Sequence, residues 1–240
     1  MLATGTAQRV TIFVGEGHRR HGRSVYMAVF DFLYYHRVAG ATVTRGIAGF
    51  GADHHLHSAD ILAASENLPI KIEFIESEDR LQELLPKIRD IIGDGVIAVQ
   101  PIQVYFAGGA SAPASKAAPV PLPHAGLEGR GKLMRIYVRE RDRWHGRPLH
   151  EAIVESLRAH DLAGVTVYQG IAGYGAGARH PKGGAASGGP PMMLSVVDTE
   201  ERIRAYLPLL DDMLTGGLVV LSDVEVIKYS YAGNPPEHQP

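Results

Sequence analysis

Basic side chains cluster near the N-terminus, in the segment Arg19-Arg20-His21-Gly22-Arg23. Arginine presents a fixed fork of N–H donors and histidine adds a ring donor, so Arg19, His21 and Arg23 could hold a phosphate or carboxylate through charge-assisted hydrogen bonds. The alternative is a solvated loop. We expect that alternative for Arg20, because a similar segment further along the chain has Trp144 in its place. The chemistry that this cluster favours is binding of a small anion.

Two short glycine turns could supply backbone donors to the same kind of ligand. They read Gly49-Phe50-Gly51 and Gly93-Asp94-Gly95. Consecutive backbone amides in such turns can point at a phosphate. The competing interpretation is that glycine only supplies a positive φ where a strand or helix meets a loop.

Histidines are densest in the stretch Asp53-His54-His55-Leu56-His57. Neutral imidazole and carboxylate ligands suit zinc, copper or nickel, so His54, His55 and His57 are candidate metal ligands. Histidine clusters are also common on exposed loops. No Ser-His-Asp order, paired carboxylates in an apolar segment or complete P-loop occurs in the chain, so we expect no enzyme.

The chain repeats itself. Residues 9–51 align with residues 133–175 without a gap, and Gly46-Ile47-Ala48-Gly49 matches Gly170-Ile171-Ala172-Gly173. After a short deletion the match resumes, with Leu85-Pro86 over Leu207-Pro208. We therefore predict two copies of one domain, copy one over residues 9–106 and copy two over residues 132–231. The Ala-, Gly- and Pro-rich residues 107–131 are predicted to be a flexible linker.

Hydrophobic periodicity predicts the elements of copy one. Strands are expected at residues 9–15, 41–48, 69–75 and 96–106, and helices at residues 24–39 and 78–92. We expect Pro86 to kink or split the second helix, because proline lacks the amide hydrogen. The order βαββαβ is the ferredoxin-like arrangement, an α+β fold present in tandem. Copy two replaces the central loop with Gly-, Ala- and Pro-rich sequence, so an effector that binds one copy should bind copy one.

The amino-acid composition limits the classes of partner and site that we expect for this protein. Lys plus Arg number 24 and Asp plus Glu 26, for a formal net charge of -2. This balance argues against nucleic-acid binding, which needs a basic surface. The chain has no cysteine, which excludes disulfides and thiolate metal sites. No apolar signal core or membrane span is apparent, so a cytoplasmic location is expected.

Three segments resemble the bacterial domain-of-unknown-function 190 family. They are Glu16 with His21-Gly22-Arg23, the stretch Gly46-Ile47-Ala48-Gly49-Phe50-Gly51, and Ser65-Glu66-Asn67-Leu68-Pro69. His57 falls at the family's own histidine position. Members are described as PII-like, with ferredoxin-like domains that form trimers and sense small molecules at clefts between subunits. The resemblance therefore implies a trimer-type homo-oligomer and a partner protein, such as a membrane transporter.

Gly93-Asp94-Gly95-Val96-Ile97 is similar to the Gly-Asp-Gly-Lys-Ile turn that holds nucleotide phosphates in PII proteins. Val96 replaces the phosphate-binding lysine, and Ala52-Asp53-His54 replaces the Arg-Gln-Lys of PII. The 2-oxoglutarate and Mg-ATP chemistry of PII proteins therefore does not carry over, whereas nucleotide binding in altered form stays open.

We expect a non-enzymatic PII-like regulator that binds a small anionic effector, with adenine nucleotides among the candidates, and that requires no cofactor. The expected effector-binding residues are Arg19, His21, Arg23, Gly49, Phe50, Gly51, His57, Gly93, Asp94 and Gly95. The alternative is a metal-binding or metal-tolerance protein of the CutA type that uses His54, His55 and His57. A third possibility is a purely structural assembly module.

Overall fold

Each copy folds with the predicted order of strands and helices. The computed structural model describes residues 2–50, 56–59, 67–107, 110–111, 127–175 and 189–229. Copy one contains β1 Gly5–Gly15, α1 Val25–Tyr35, β2 Ala41–Arg45, β3 Pro69–Glu76, α2 Glu78–Ile92 and β4 Val96–Ala107. Copy two contains β5 Gly129–Arg139, α3 Leu149–Ala159, β6 Val165–Gln169, β7 Ala172–Tyr174, β8 Pro191–Asp198, α4 Glu200–Met213 and β9 Leu218–Val226. The duplicated ferredoxin-like fold is thereby confirmed.

Buried and exposed side chains alternate along the strands, which gives the sheet two different faces. On β1, the buried Val10, Ile12 and Val14 point towards the helices of copy one. They pack with the apolar side of α1, which buries Val29 and Leu33. Copy two builds an equivalent core between its strands and helices, to which copy one adds Tyr105 and Phe106. Each copy therefore has its own core on the helix side of the sheet, completed by side chains from the other copy.

The strands of both copies form one sheet. Its order is β6-β8-β5-β9-β4-β1-β3-β2-β7, with β4 joined to β9 across the copies. Strand β7 of copy two lies at the far end, where Ala172 pairs with Val43 of β2. Gly170 N–H donates to Pro191 at 2.8 Å, and Ile171 N–H donates to Val43 at 2.8 Å. Because β6 and β7 are consecutive in the chain, the sheet curls until its two ends are adjacent.

The face away from the helices holds a cluster that both copies share. Ala7, Ile75, Ile102 and Val104 of copy one pack there with Val220 of copy two. Such apolar burial favours association of the copies, at roughly 25 cal/mol for each Å² removed from water. The two copies are thus joined by side-chain packing as well as by backbone hydrogen bonds.

Three of the sequence predictions need correction. Pro86 does not split α2, which runs unbroken because Leu81, Leu84 and Ile88 are buried along one face. Helix α1 ends at Tyr35 rather than at residue 39, and Arg37 adopts a φ of 57°. The strand predicted at residues 41–48 divides at Gly46 into β2 and a separate strand, Ala48–Phe50.

The predicted loop that follows copy one's second strand contains a strand as well. Leu56–Ser58 pairs with Ala48–Phe50 in a hairpin. Gly51, His54 and His55 lie outside the described residues, as do most of the predicted linker and residues 176–188 of the copy-two loop. Among the helices that the structure describes, none has both the length and the apolar character needed to cross a membrane.

Candidate functional site

The basic cluster forms a small exposed hairpin. Arg19–Arg20 pairs with Arg23–Ser24, and His21 and Gly22 make the turn with φ values of 50° and 76°. An Arg19 N–H donates to the Gly22 carbonyl at 3.4 Å, and Arg23 lies 3.8 Å from the Asp31 carboxylate. Both guanidinium groups remain largely open to solvent. The hairpin could therefore receive an anion, but its side chains do not by themselves enclose one.

The turn Gly93-Asp94-Gly95 follows α2 and lies beside this hairpin. A Cβ on Gly93 would be 3.6 Å from Nη1 of Arg20, the arginine that we had expected to be only solvated. Gly95 has a φ of 151°, and a Cβ there would approach the Phe13 carbonyl to 2.7 Å. Close approach of the backbone thus accounts for Gly95 without a ligand.

The other predicted turn continues as a strand. Gly49 pairs with His57, and its Cα packs against the ring of Pro69. Phe50 is 70% exposed. Within the described part of the chain, no group of three or more metal-capable side chains is present. Because His54 and His55 lie outside that part, the metal alternative remains an untested prediction.

A cleft of about 430 Å³ lies between the two copies. Copy two contributes Gly173, Tyr174, Gly175, Thr215, Gly216 and Gly217 to its wall. These residues occupy the positions that Gly49-Phe50-Gly51 and Gly93-Asp94-Gly95 hold in copy one. The copy-two counterparts of the two predicted turns therefore meet in one cleft.

Copy one supplies the opposite wall. Ala41, Thr42, Glu73 and Ile75 line it from the adjacent strands β2 and β3. Gly217, with a φ of 110°, fits beside β5 only without a side chain, because a Cβ would be 2.5 Å from the Tyr137 carbonyl. The copy-two turn is thereby held close to β5 of its own copy, on the wall of the cleft opposite β2 and β3.

The cleft is lined by the carboxylates of Glu73 and Asp142 and by the guanidinium of Arg139. Glu73 is 4% exposed and forms an ion pair of 2.9 Å with Lys71, whose ammonium lies 5.7 Å from the centre of the Tyr168 ring. The Arg139 side chain lines the cleft and has no hydrogen-bond or ion-pair partner among the described residues. A Cβ on Gly175 would be 3.7 Å from its Nη2. Arg139 is therefore free to receive an anion.

Tyr137 lines the cleft and carries a buried hydroxyl. Its hydroxyl is buried and lacks a hydrogen-bond partner among the described residues. Burial raises the pKa of Tyr137 well above its usual range, the nearby Glu73 charge raises it further, and Arg9 opposes this rise. The hydroxyl thus stays protonated at neutral pH, and its oxygen is buried behind the wall of the cleft.

Sequence reasoning missed Arg139, Tyr137, Glu73 and the copy-two turns. The sequence contains one indication of the copy-two turns, since the repeat places Gly173-Tyr174-Gly175 over Gly49-Phe50-Gly51. The sequence does not indicate which copy's turns face the other copy. That depends on the pairing of β7 with β2, which joins residues far apart in the chain.

The fold and this cleft define a class: tandem ferredoxin-like domains that enclose a small-molecule-sized cavity between them. The chain belongs to the DUF190 family ("Uncharacterized ACR"), whose model matches residues 7–104 and again residues 131–226.

Relatives of this chain consist of about one copy. A UPF0166 protein of Methanocaldococcus jannaschii is 34% identical over 101 residues, which are 41% of this chain and 94% of that protein. A UPF0166 protein of Aquifex aeolicus is 34% identical over 98 residues, 40% of this chain and 92% of that protein. Among solved structures, the small subunit of acetolactate synthase from Thermotoga maritima aligns over 94% of this chain and 99% of its own. Its TM-score of 0.30 and identity of 13% are too low to support an argument.

Proposed function

We propose that the protein is a PII-like regulatory protein whose two copies together bind a small anionic effector. The observation that supports this most directly is the cleft between the copies, where the glycine turns of copy two face β2 and β3 of copy one. Its volume of about 430 Å³ falls within the range of ligand pockets, about 300–1,000 Å³.

The chemistry of the lining favours an anion. Lys71 pairs with Glu73, and Asp142 accepts from the backbone N–H of Arg139, so within the described residues the Arg139 guanidinium keeps its donors for a ligand. Arginine presents two parallel N–H groups to a carboxylate or phosphate. Adenine nucleotides are the first effectors to test, because of the resemblance to PII proteins.

Binding in this cleft would be coupled to the contact between the copies. A ligand that touches both walls stabilises only the arrangement in which they face each other, and so shifts the population towards it. We propose that this shift regulates a partner protein, such as a membrane transporter, and that the protein itself is not catalytic. Assembly as a trimer-type homo-oligomer is a further part of the proposal.

A screen of the purified full chain by thermal unfolding, with nucleotides, metal ions and small carboxylates, tests the proposal. Calorimetry on any hit would then compare Arg139→Ala with Arg130→Ala, which removes an exposed arginine from the same strand. A charge-assisted hydrogen bond contributes ~1.5–3 kcal/mol, so we expect Arg139→Ala to weaken binding about tenfold or more. Arg130→Ala should leave it unchanged. Equal affinities of the two variants, or stabilisation by metal ions alone, would contradict the proposal.

A further inference from the structure

A groove on copy one is open where the corresponding groove of copy two is filled. It lies between α2 and the beginning of β4, and its apolar lining includes Leu85, Ile97 and Val99. Val99 is 45% exposed, and Val96 at the start of the same strand is 58% exposed. Apolar side chains that are exposed together mark interaction surfaces more often than single ones do. The groove is therefore a candidate docking site.

Copy two shows how such a groove is filled. The corresponding residues Leu207, Val219 and Leu221 belong to a core that also includes Tyr105 and Phe106, from the end of β4. These two aromatic side chains are 5% and 2% exposed. The chain thus contains, within itself, an example of the occupied groove.

The segment that fills the copy-two groove is held as an added strand. The end of β4 pairs antiparallel with the beginning of β9, from Ala107 opposite Leu218 to Gln103 opposite Leu221. The corresponding residues 96–99 of β4 pair with β1 on one side and with no other strand that the structure describes. Their outer backbone donors and acceptors are thus available to an extended segment.

One charge differs between the two grooves. In copy two, the Tyr105 hydroxyl donates to the Asp211 carboxylate at 2.7 Å. The repeat places Arg89 at the position of Asp211, whereas Asp90 and its counterpart Asp212 are both acidic. Arg89 is exposed, lines the groove, and has no side-chain hydrogen bond or ion pair with the described residues. An acceptor for a tyrosine hydroxyl in copy two is thus replaced by a cationic donor in copy one.

The end of a second copy of this chain would fit the groove poorly. The residues after β9 that correspond to Tyr105 and Phe106 are Ile227 and Lys228. Lysine in the buried position of Phe106 would lose the hydration of its ammonium group, which is costly without a partner. Isoleucine offers no acceptor to Arg89. The groove therefore favours a segment of another protein.

We propose that this groove binds an extended segment of a partner protein in which an acidic residue is followed by an aromatic one. The aromatic ring packs over Ile97, because the corresponding Val219 lies opposite Phe106 in copy two. The carboxylate takes the place of the Tyr105 hydroxyl and accepts from the Arg89 guanidinium. Glutamate is shorter than tyrosine and arginine is longer than aspartate, so the new pair spans a similar distance.

The groove is separate from the cleft between the copies, since no residue lines both. As the place where a regulated partner binds, the groove rests on the proposed function. The strand pairing and the contact with Arg89 require no effector. Failure of segment binding and failure of effector binding are therefore distinguishable, because each is measured without the other ligand.

Labelled synthetic peptides test the proposal on the full chain by fluorescence anisotropy. The first peptide has the sequence of residues 101–107 with the change Tyr105→Glu. The second has the same residues unchanged, and the third has residues 223–229, the corresponding end of copy two. The chain variant is Arg89→Asp. Its matched control is Lys87→Asp, an equal change of charge at an exposed position of α2 that does not line the groove.

We expect the Tyr105→Glu peptide to bind the parent chain most tightly of the three. Arg89→Asp should weaken its binding about tenfold, because attraction is replaced by repulsion, and should make the unchanged peptide the better ligand. Lys87→Asp should leave the order of affinities as it is in the parent. Circular dichroism verifies the fold of both variants.

Three results would overturn the proposal. The first is no binding of the Tyr105→Glu peptide to the parent chain. The second is the same affinity for Arg89→Asp as for Lys87→Asp, which would place the peptide elsewhere. The third is tightest binding of the peptide of residues 223–229, which would assign the groove to a second copy of this chain.

Discussion

Tyr174 of copy two stands edge-on to Phe30 of copy one, with ring centroids 5.3 Å apart and planes inclined by 72°. Burial raises the pKa of its hydroxyl, and the negative charge of Glu76 acts in the same direction. An aromatic side chain from one repeat thus completes the core of the other. The counterpart Phe50 lies exposed, which shows that two similar sequences have different surroundings.

Truncation of this ring should destabilise the whole chain. Tyr174→Ala removes a partly buried aromatic group, and because truncation of a fully buried one typically costs about 3–5 kcal/mol, we expect a loss of up to about 3 kcal/mol. We expect a correspondingly lower urea midpoint, measured by circular dichroism. The control Tyr35→Ala removes a tyrosine of α1 that is 70% exposed and should alter stability by no more than ~0.5 kcal/mol. Equal losses in the two variants would show that Tyr174 does not link the copies.

Gly216 and Gly217 are adjacent residues of the cleft wall, so substitutions at the two positions make a matched pair of variants. Gly217→Ala introduces a Cβ 2.5 Å from the Tyr137 carbonyl at a φ of 110°, so we expect a loss of at least ~1–3 kcal/mol. A Cβ at Gly216 would meet no atom within 4 Å, and Gly216→Ala should be close to neutral. Thermal unfolding of the two variants tests this difference. A neutral Gly217→Ala would mean that the turn can move away from β5.

The basic hairpin of copy one is a second candidate anion site, separate from the cleft, because neither Arg19 nor Arg23 lines that cleft. If the effector binds at the hairpin, replacing Arg19 and Arg23 together with alanine should weaken binding about tenfold or more, because each could form a charge-assisted hydrogen bond of ~1.5–3 kcal/mol. The same change at Arg143 and Arg147 should cost less, since Arg147 already pairs with Glu155 at 2.6 Å. Calorimetry compares the two double variants. Equal losses would contradict the asymmetry.

Alkaline pH should unfold the protein in part through its buried tyrosines. Burial raises the pKa of Tyr206 to about 12. Its neutral form is favoured in the folded state, so its contribution is complete below pH ~10 and is lost as pH rises towards 12. Tyr206→Phe should therefore lose less stability than the parent between pH 9 and pH 11, by on the order of 1 kcal/mol in urea titrations. An identical loss in both proteins would exclude Tyr206 as a cause.

The sequence by itself determined the local architecture of each copy. Alternating residues such as Val10, Ile12 and Val14 specify a strand with one buried face, and Leu81, Leu84 and Ile88 specify a helix. These patterns repeat along the chain, so the βαββαβ order and its duplication follow from neighbouring residues alone. Helix α2 runs through Pro86 against the prediction, because the sequence shows the missing amide but not the burial that holds the helix together.

Only the tertiary structure decided how the copies meet, and with it the position of the cleft. The turn sequences of the two copies are nearly interchangeable, yet Tyr174 is packed inside copy one whereas Phe50 faces solvent. The difference arises because β7 pairs with β2, more than a hundred residues away in sequence, while Ala48–Phe50 pairs with the nearby Leu56–Ser58. Arg139 and Tyr137 line the cleft for the same reason. Long-range pairing places them opposite copy one, and no local pattern encodes which of two similar edges a strand will join.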